Sequence, residues 1–185
     1  MAPRAALSAP SDTQRAQRKK QLLEAIQPLA RGVQASQEDK ARIEALARAA
    51  EQANPTPKPL ASDLINGQWR LVFTTSQSIL GTSRPWFLRP SGPIYQVIDA
   101  VNLKALNRET WPFFNQVQAR LTAESGSKVK VQFTQFRIFG LLPVSAPPSA
   151  RGELDTTYLD EEMRISRGDR GNLFVLLMDD RSVRP

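Results

Sequence analysis

Apolar and polar residues alternate with a period of two over most of the chain after Leu64, and this pattern predicts β-strands. Consecutive short strands separated by turn residues pair antiparallel, so the pattern favours a sandwich or an up-and-down barrel. A helical turn is expected near Leu103–Arg108, and residues 142–149 are expected to form a loop. The predicted strands, about seven or eight in all, include 69–74, 94–99, 113–122, 128–138, 152–159, 163–167 and 172–178.

Two strands carry additional information about how the sheet is built. In 128–138 the apolar positions change parity near Thr134, which predicts a β-bulge at Thr134–Gln135. The last strand is apolar at every position from Leu173 to Met178, so both of its faces need cover. We expect the barrel interior to cover one face and the N-terminal helices to cover the other.

The first third of the chain has helical periodicity instead. Apolar residues recur at helical spacing between Leu22 and Leu29, and Pro28 is expected to end or kink that helix. Ser36 followed by Asp39 predicts the N-terminus of a second helix, whose apolar stripe is narrow and rich in alanine. The pattern predicts an αα-hairpin that packs on the rest of the protein.

Three prolines within residues 55–59 end the helical part and favour an extended linker. The expected organisation is therefore a disordered N-terminus or transit-peptide remnant at 1–11, a helical hairpin with its proline-rich linker at 12–60, a barrel at 61–180 and a tail at 181–185. The fold class is mainly β, an antiparallel barrel with an N-terminal α-helical hairpin.

Composition excludes several classes of chemistry. The 185 residues include no His and no Cys, which rules out disulfides, thiolate nucleophiles, Ser-His-Asp triads and Cys/His metal sites. The acidic clusters Asp160–Glu162 and Asp179–Asp180 are interpreted as solvated turns at strand ends rather than as catalytic or metal-binding carboxylates. We therefore expect no enzyme activity, no catalytic residues and no bound metal.

The chain carries 25 Lys and Arg against 18 Asp and Glu, a net charge of +7. One true basic cluster exists, formed by Arg15, Arg18, Lys19 and Lys20; it is either a solvated helix face or a contact for anionic lipid headgroups or an acidic partner. No signature of a nucleic-acid-binding module accompanies it, and no apolar stretch is long enough to span a bilayer.

Large apolar side chains also occur in two loops. Trp86 and Phe87 lie between prolines, and Trp111 and Phe113 lie in a similar segment. Such loops either fold over the core or form the lip of a barrel mouth, where they gate a ligand or contact a lipid surface.

Gly67-Gln68-Trp69 at the start of the first strand resembles the motif that opens lipocalin-like barrels. In those barrels the Trp closes one end and packs under a basic side chain from a late strand, a favourable contact for an indole ring. Arg164 and Arg167 are the candidate partners of Trp69 here.

The C-terminal segment from Arg151 to Leu176 resembles the signature of the plastid-lipid-associated protein family, the fibrillins of plants, algae and cyanobacteria. The segment from Leu64 to Ser76 and the Asn54-Pro-x-Pro approach are similar to the same family. The resemblance extends from about Lys19 to Met178. It implies a plastid protein at plastoglobules, thylakoids, eyespot globules or in the stroma, which binds or carries carotenoids, prenylquinones or fatty acids.

On this reading the barrel encloses an apolar cavity, no cofactor is required, and a hydrophobic ligand, a lipid surface and a plastid protein are the expected partners. In one alternative the barrel is filled by its own side chains, and the protein is a coat or scaffold of lipid globules or docks on a plastid enzyme.

The cavity candidates are Leu71, Phe73, Val117, Val129, Val131, Phe133, Arg137, Tyr158, Arg164 and Phe174. Tyr158 is expected to offer its hydroxyl to the polar end of a ligand, and Arg164 or Arg137 to meet a carboxylate. Barrel closure is assigned to Trp69, Arg164 and Arg167, and surface contact to Arg15, Arg18, Lys19, Lys20, Trp86 and Phe87.

Overall fold

Two capped helices precede the sheet in the computed structural model, which describes residues 11–185. Helix α1 (Asp12–Ile26) begins at Ser11 and α2 (Gln37–Glu51) begins at Ser36; each Ser accepts the backbone N–H three residues on in a capping box. A 3₁₀ segment (Gln27–Gly32) that contains Pro28 joins the two helices. The predicted αα-hairpin is thus confirmed, whereas the expectation for residues 1–10 lies outside the described residues.

The rest of the chain forms an antiparallel sheet that closes on itself. Eight strands make the ring in the order β4-β3-β2-β1-β9-β8-β7-β5, which the pairing of β4 with β5 closes, and β6 extends β5 as a hairpin. The elements are β1 (Gly67–Thr74), α3 (Gln77–Leu80), β2 (Ile94–Asp99), β3 (Lys104–Glu109), β4 (Gln116–Ala123), β5 (Lys128–Ile138), β6 (Leu142–Ser145), β7 (Arg151–Leu159), β8 (Met163–Gly168) and β9 (Leu173–Asp180). The predicted barrel is confirmed.

Two strands were not predicted. Residues Lys104–Glu109 form β3 instead of a helical turn, and Leu142–Ser145 form β6 instead of a loop. Strand β3 places the polar Asn107 on its inner face, so the apolar alternation that marks a strand is missing. All four residues of β6 are exposed, and its pairing with β5 depends on the backbone rather than on burial.

Bulges in β5, β1 and β7 change which side chains face the interior. The bulge in β5 confirms the prediction at Thr134–Gln135, because the register with β4 shifts beside Gln118 and Ala119. Further shifts lie between Leu71 and Phe73 in β1 and between Thr156 and Tyr158 in β7. After each of these two shifts the strand presents the opposite face to the interior.

The helical hairpin packs on the outside of β7, β8, β9 and β1. Its apolar side chains form one core cluster with Phe73, Tyr158, Met163, Ile165, Leu173 and Val175. On the opposite face of β9, Leu176 belongs to the barrel interior. The expectation that the last strand is covered by the interior on one side and by the helices on the other is therefore confirmed.

The connection between the helices approaches the end of β1 closely. Gly32 has a φ of +107°, and a β-carbon there would lie 2.3 Å from the carbonyl oxygen of Thr74. Only glycine combines this backbone conformation with so close an approach. The hairpin is thereby held at the barrel end where β1 ends.

Candidate functional site

The two ends of the barrel differ. We call the end at which β1 begins the floor and the end at which β1 ends the mouth. The segment Pro59–Ile65 covers the floor, where the backbone N–H of Leu60 donates to the Gly126 carbonyl at 3.0 Å. Trp69 lies fully buried above it and donates its indole N–H to the Ile65 carbonyl at 2.9 Å. The floor is therefore filled by protein side chains.

Arg164 lies on the inner face of β8 against this floor. Its guanidinium carbon is 5.1 Å from the centroid of the Trp69 ring, and the side chain is fully buried. Nη2 donates to Oε1 of Gln96, whereas Nε and Nη1 have no hydrogen-bond partner within residues 11–185. Burial lowers the pKa of Arg164 from its ordinary value to about 9.

The second candidate partner of Trp69 is placed elsewhere. Arg167 points out of the barrel toward α2, where Nε is 2.7 Å from Oε1 of Glu51 and Nη1 is 3.1 Å from Glu44. Arg167 therefore ties the helices to β8. Barrel closure involves Arg164 alone of the two, because alternate residues on a strand face opposite sides.

A polar layer continues from Arg164 across the interior. Gln96 donates from Nε2 to Oδ1 of Asn107 at 3.0 Å, and Thr156 and Ser166 face each other at 3.4 Å on another part of the wall. Gln96 and Asn107 are only half-buried although the strand register places both on the inner face. This layer can therefore be reached from inside the barrel.

Much of the remaining lining of the barrel is apolar. The register places Leu71, Val117, Val129, Val131, Phe133, Phe136 and Phe174 on the inner face. Leu71 and Val129 are buried, whereas the other five are only half-buried. The partial exposure of these five side chains shows that the apolar inner face is not fully covered by the protein itself. Seven of the ten cavity candidates, Leu71, Val117, Val129, Val131, Phe133, Arg164 and Phe174, thus share the inner face.

The other three cavity candidates lie elsewhere. Phe73 and Tyr158 point outward and pack against the helices, because the bulges in β1 and β7 reverse the alternation before each of them. Arg137 is exposed and pairs with Gln116 on the outward side of β5, because the bulge at Thr134 reverses the parity there as well. The expectation that these three line the cavity is corrected.

Tyr158 belongs to a buried polar group at the floor end. Its hydroxyl donates to Oδ2 of Asp160 at 2.7 Å, and Nζ of Lys19 lies 2.8 Å from the same oxygen. Burial alone would raise the pKa of Asp160, but hydrogen bonds from Lys19, Tyr158 and two backbone N–H groups hold it below its usual value. Burial raises the pKa of the Tyr158 hydroxyl, which stays protonated.

The basic cluster of α1 is largely engaged within the chain. Lys19 also bonds Glu162 at 2.8 Å, Arg18 donates to the Ala49 carbonyl, and Arg15 pairs with Asp12. Because Lys19 contacts the turn after β7, the cluster lies toward the floor. Trp86 and Phe87, which were predicted to share its surface, lie in a loop at the mouth.

The mouth carries the large exposed apolar side chains that the sequence pattern identified only in part. Trp86 is 80% exposed and Phe87 61%, and the connection between β5 and β6 adds Leu141 at 80%. The antiparallel order places the β1–β2, β3–β4 and β5–β6 connections at the mouth together. Gln96 and Asn107 were not identified as site residues from the sequence. The sequence feature that could have identified them is a polar residue at a strand position that faces inward.

The described residues contain little that favours catalysis. No group of three or more acidic side chains is arranged to hold a metal ion between residues 11 and 185. Over the same part of the chain, no helix has the length and apolar character needed to cross a membrane. The inner face thus combines a partly exposed apolar lining, a polar layer and one buried cation.

Comparisons with known proteins agree on one family. The family model PAP_fibrillin matches residues 16–177. The chain is 50% identical over 171 residues to "Probable plastid-lipid-associated protein 5, chloroplastic" of Arabidopsis thaliana, covering 92% of this chain and 73% of that protein. It is 32% identical to "Plastid-lipid-associated protein 6, chloroplastic" of the same organism (90% and 72% covered) and 28% identical to "Chromoplast-specific carotenoid-associated protein C1, chromoplastic" of an Oncidium hybrid cultivar (87% and 68%). No solved structure shows significant similarity to the chain.

Proposed function

Because the chain belongs to the PAP_fibrillin family of plastid-lipid-associated proteins, we propose that it binds a small hydrophobic molecule in the mouth-side half of its barrel. The protein is located in the plastid, as its chloroplastic and chromoplastic relatives are. The ligand belongs to the carotenoid, prenylquinone or fatty acid class, and its binding requires neither a metal nor another cofactor. No catalytic step is part of this function.

The observation that carries the proposal is the half-buried inner face. Val117, Phe133 and Phe174 point into the barrel and yet remain partly accessible, while the floor below them is filled. A ligand that covers this lining gains about 25 cal/mol for each Å² of apolar surface removed from water, before ordering costs. The apolar body of the ligand therefore occupies the mouth side.

The polar layer gives the ligand an orientation. Arg164 donates a hydrogen bond to Gln96, and Gln96 donates one to Asn107. The positive charge of Arg164 therefore polarises both side-chain amides. The amide nitrogen of Asn107 remains available to an acceptor oxygen in the lumen. A ligand with a carbonyl or carboxylate at one end is expected to place that oxygen here and its apolar chain toward the mouth.

The experiment is purification of the chain from a carotenoid- and prenylquinone-rich plastid membrane extract, followed by mass spectrometry of the bound lipid. Val117→Trp fills the lumen, and Gln118→Trp adds the same bulk to the outer face one residue away. We expect stoichiometric ligand in the parent and in Gln118→Trp, and its loss in Val117→Trp. A parent chain that carries no lipid and takes up none overturns the proposal.

The second candidate function is a structural coat of plastid lipid globules with no bound ligand. The exposed apolar side chains at the mouth favour it, because a coat protein needs surface contacts rather than a cavity. Association of the lipid-free parent with lipid globules, and equal association of the Val117→Trp variant, would support the coat function over ligand binding.

A further inference from the structure

An apolar surface, which we call the crown, lies on one side of the mouth, on three of its connections and the adjoining ends of β5 and β6. Three connections build it and pack on one another. The Phe113 and Phe139 rings meet edge to face at 5.7 Å, and the backbone N–H of Ser91 donates to the Trp111 carbonyl at 3.1 Å. The side chains of the crown are Trp86, Phe87, Trp111, Phe114, Ile138, Phe139, Leu141, Leu142 and Val144.

The crown holds most of the exposed large apolar side chains of the described residues. All nine of its side chains are among the exposed large apolar residues of the described chain, and three others, Val33, Val101 and Leu103, lie elsewhere. A contiguous apolar surface of this size on a soluble fold marks an interaction site. Val101 is 79% exposed in the connection between β2 and β3, which the strand order places at the floor.

The charges of the same loops select the partner. Residues 75–93, 110–115 and 136–145 contain three arginines, Arg84, Arg89 and Arg137, and no acidic residue, while the β8–β9 connection at the same end adds Asp169 and Arg170. Exposed aromatic and Leu side chains flanked by cationic residues are typical of protein surfaces that lie at a lipid–water interface. Negative headgroups add attraction for each arginine near the surface.

We propose that the crown seats the barrel mouth on an anionic lipid surface. The apolar tips enter the region between headgroups and acyl chains, and the three arginines meet the headgroups. A second copy of the chain does not fit this surface equally well, because a two-fold contact would bring the arginines of both copies together.

The proposal also fixes the orientation of the molecule. The mouth faces the lipid, and the floor, with Lys19 and the rest of the α1 cluster, faces away from it. The basic helix is therefore not the lipid-binding surface. Docking by the crown is separable from ligand binding, because Trp86, Phe87, Trp111, Phe114, Phe139 and Leu141 lie on the connections and not on the strands of the barrel.

The test uses the full chain, freed of lipid, and sedimentation with phosphatidylcholine vesicles with and without phosphatidylglycerol. We expect binding to the anionic vesicles that weakens as salt is added. Leu141→Ser combined with Leu142→Ser is expected to reduce affinity at least tenfold, whereas Val101→Ser, equally exposed at the floor, leaves it unchanged. Arg18→Glu combined with Lys20→Glu reverses charge in the α1 cluster without touching Lys19, and it too is expected to have little effect.

Fluorescence gives a readout that does not depend on a variant. Trp69 is buried in the floor, whereas Trp86 and Trp111 are 80% and 59% exposed, so a blue shift on vesicle binding reports the crown. Loss of binding in the α1 variant with full binding in the crown variant overturns the proposal. Absence of binding to anionic vesicles also overturns the proposal. Burial of the crown side chains in a contact between two copies of the chain overturns it as well. Failure of ligand uptake in the lumen variant leaves these outcomes unchanged, so the two proposals are tested separately.

Discussion

Replacing Arg164 by Met tests whether the buried guanidinium serves stability or binding. The side chain is fully buried, with two of its three nitrogens unpartnered among residues 11–185, and it has one hydrogen bond, to Gln96. Methionine has a similar length and fills irregular space without donors that need partners. We expect Arg164→Met to fold with a free energy of unfolding within about 2 kcal/mol of the parent.

The magnitude follows from two opposing contributions. Burial lowers the pKa of Arg164 to about 9, and at about 1.4 kcal/mol for each pH unit this disfavours the charged form by several kcal/mol. Against this, a hydrogen bond from a charged donor stabilises by about 1.5–3 kcal/mol, and a desolvated cation over an indole by about 2 kcal/mol. The two sides nearly cancel. Arg164→Ala, by contrast, leaves a cavity beside Trp69 and is expected to cost about 2–5 kcal/mol.

Urea denaturation followed by Trp fluorescence measures these values. Because the pKa of Arg164 is lower in the folded chain, the unfolded chain binds more protons between about pH 9 and 12.5. The stability of the parent relative to Arg164→Met is therefore expected to rise as the pH increases through about 9. A loss above about 4 kcal/mol in Arg164→Met, with an unchanged denaturant slope, would refute the reasoning and assign Arg164 a structural role.

Three further changes test the packing of the helices. Asp160→Asn is expected to cost about 1–3 kcal/mol at neutral pH. The pKa of Asp160 is held low, so its stabilisation is present above the unfolded value of about 3.8 and is lost as the pH falls through the folded value; thermal unfolding against pH should show this loss in the parent alone. Arg167→Met removes the ion pair with Glu51 and is expected to speed amide exchange in α2 while leaving the strands protected. Gly32→Ala is expected to lower the melting temperature, because its β-carbon would meet the Thr74 carbonyl, and equal melting temperatures would contradict the close approach.

How much of the barrel could be predicted depended on the contrast between its two faces. In β5 the outer face is wet, so Lys130 and Gln132 stand out against Val131 and Phe133, and the change of parity at Thr134 identified the bulge. Strands covered on both sides offer no such contrast.

In β1 the residues on both sides of the bulge, Leu71, Val72 and Phe73, are apolar because the helices cover the outer face. Nothing in the sequence therefore showed that Phe73 points outward. Tyr158 was misplaced for the same reason in β7. Proximity along the chain was also misleading for the lipid-contacting set, because the closure of the sheet, and not the sequence order, puts Trp86 and Lys19 at opposite ends.

The helical hairpin makes the barrel mechanically asymmetric. Strands β7, β8, β9 and β1 have a second layer behind them, whereas on β4 the outward-facing Gln118 and Arg120 are exposed. Strands that pack against the helices are expected to fluctuate less than β3, β4 and β5, whose outer face has no second layer. We expect the barrel to widen on that side when a bulky molecule enters. A partner protein that binds the hairpin and changes its packing on the barrel would then change the affinity of the barrel for its ligand.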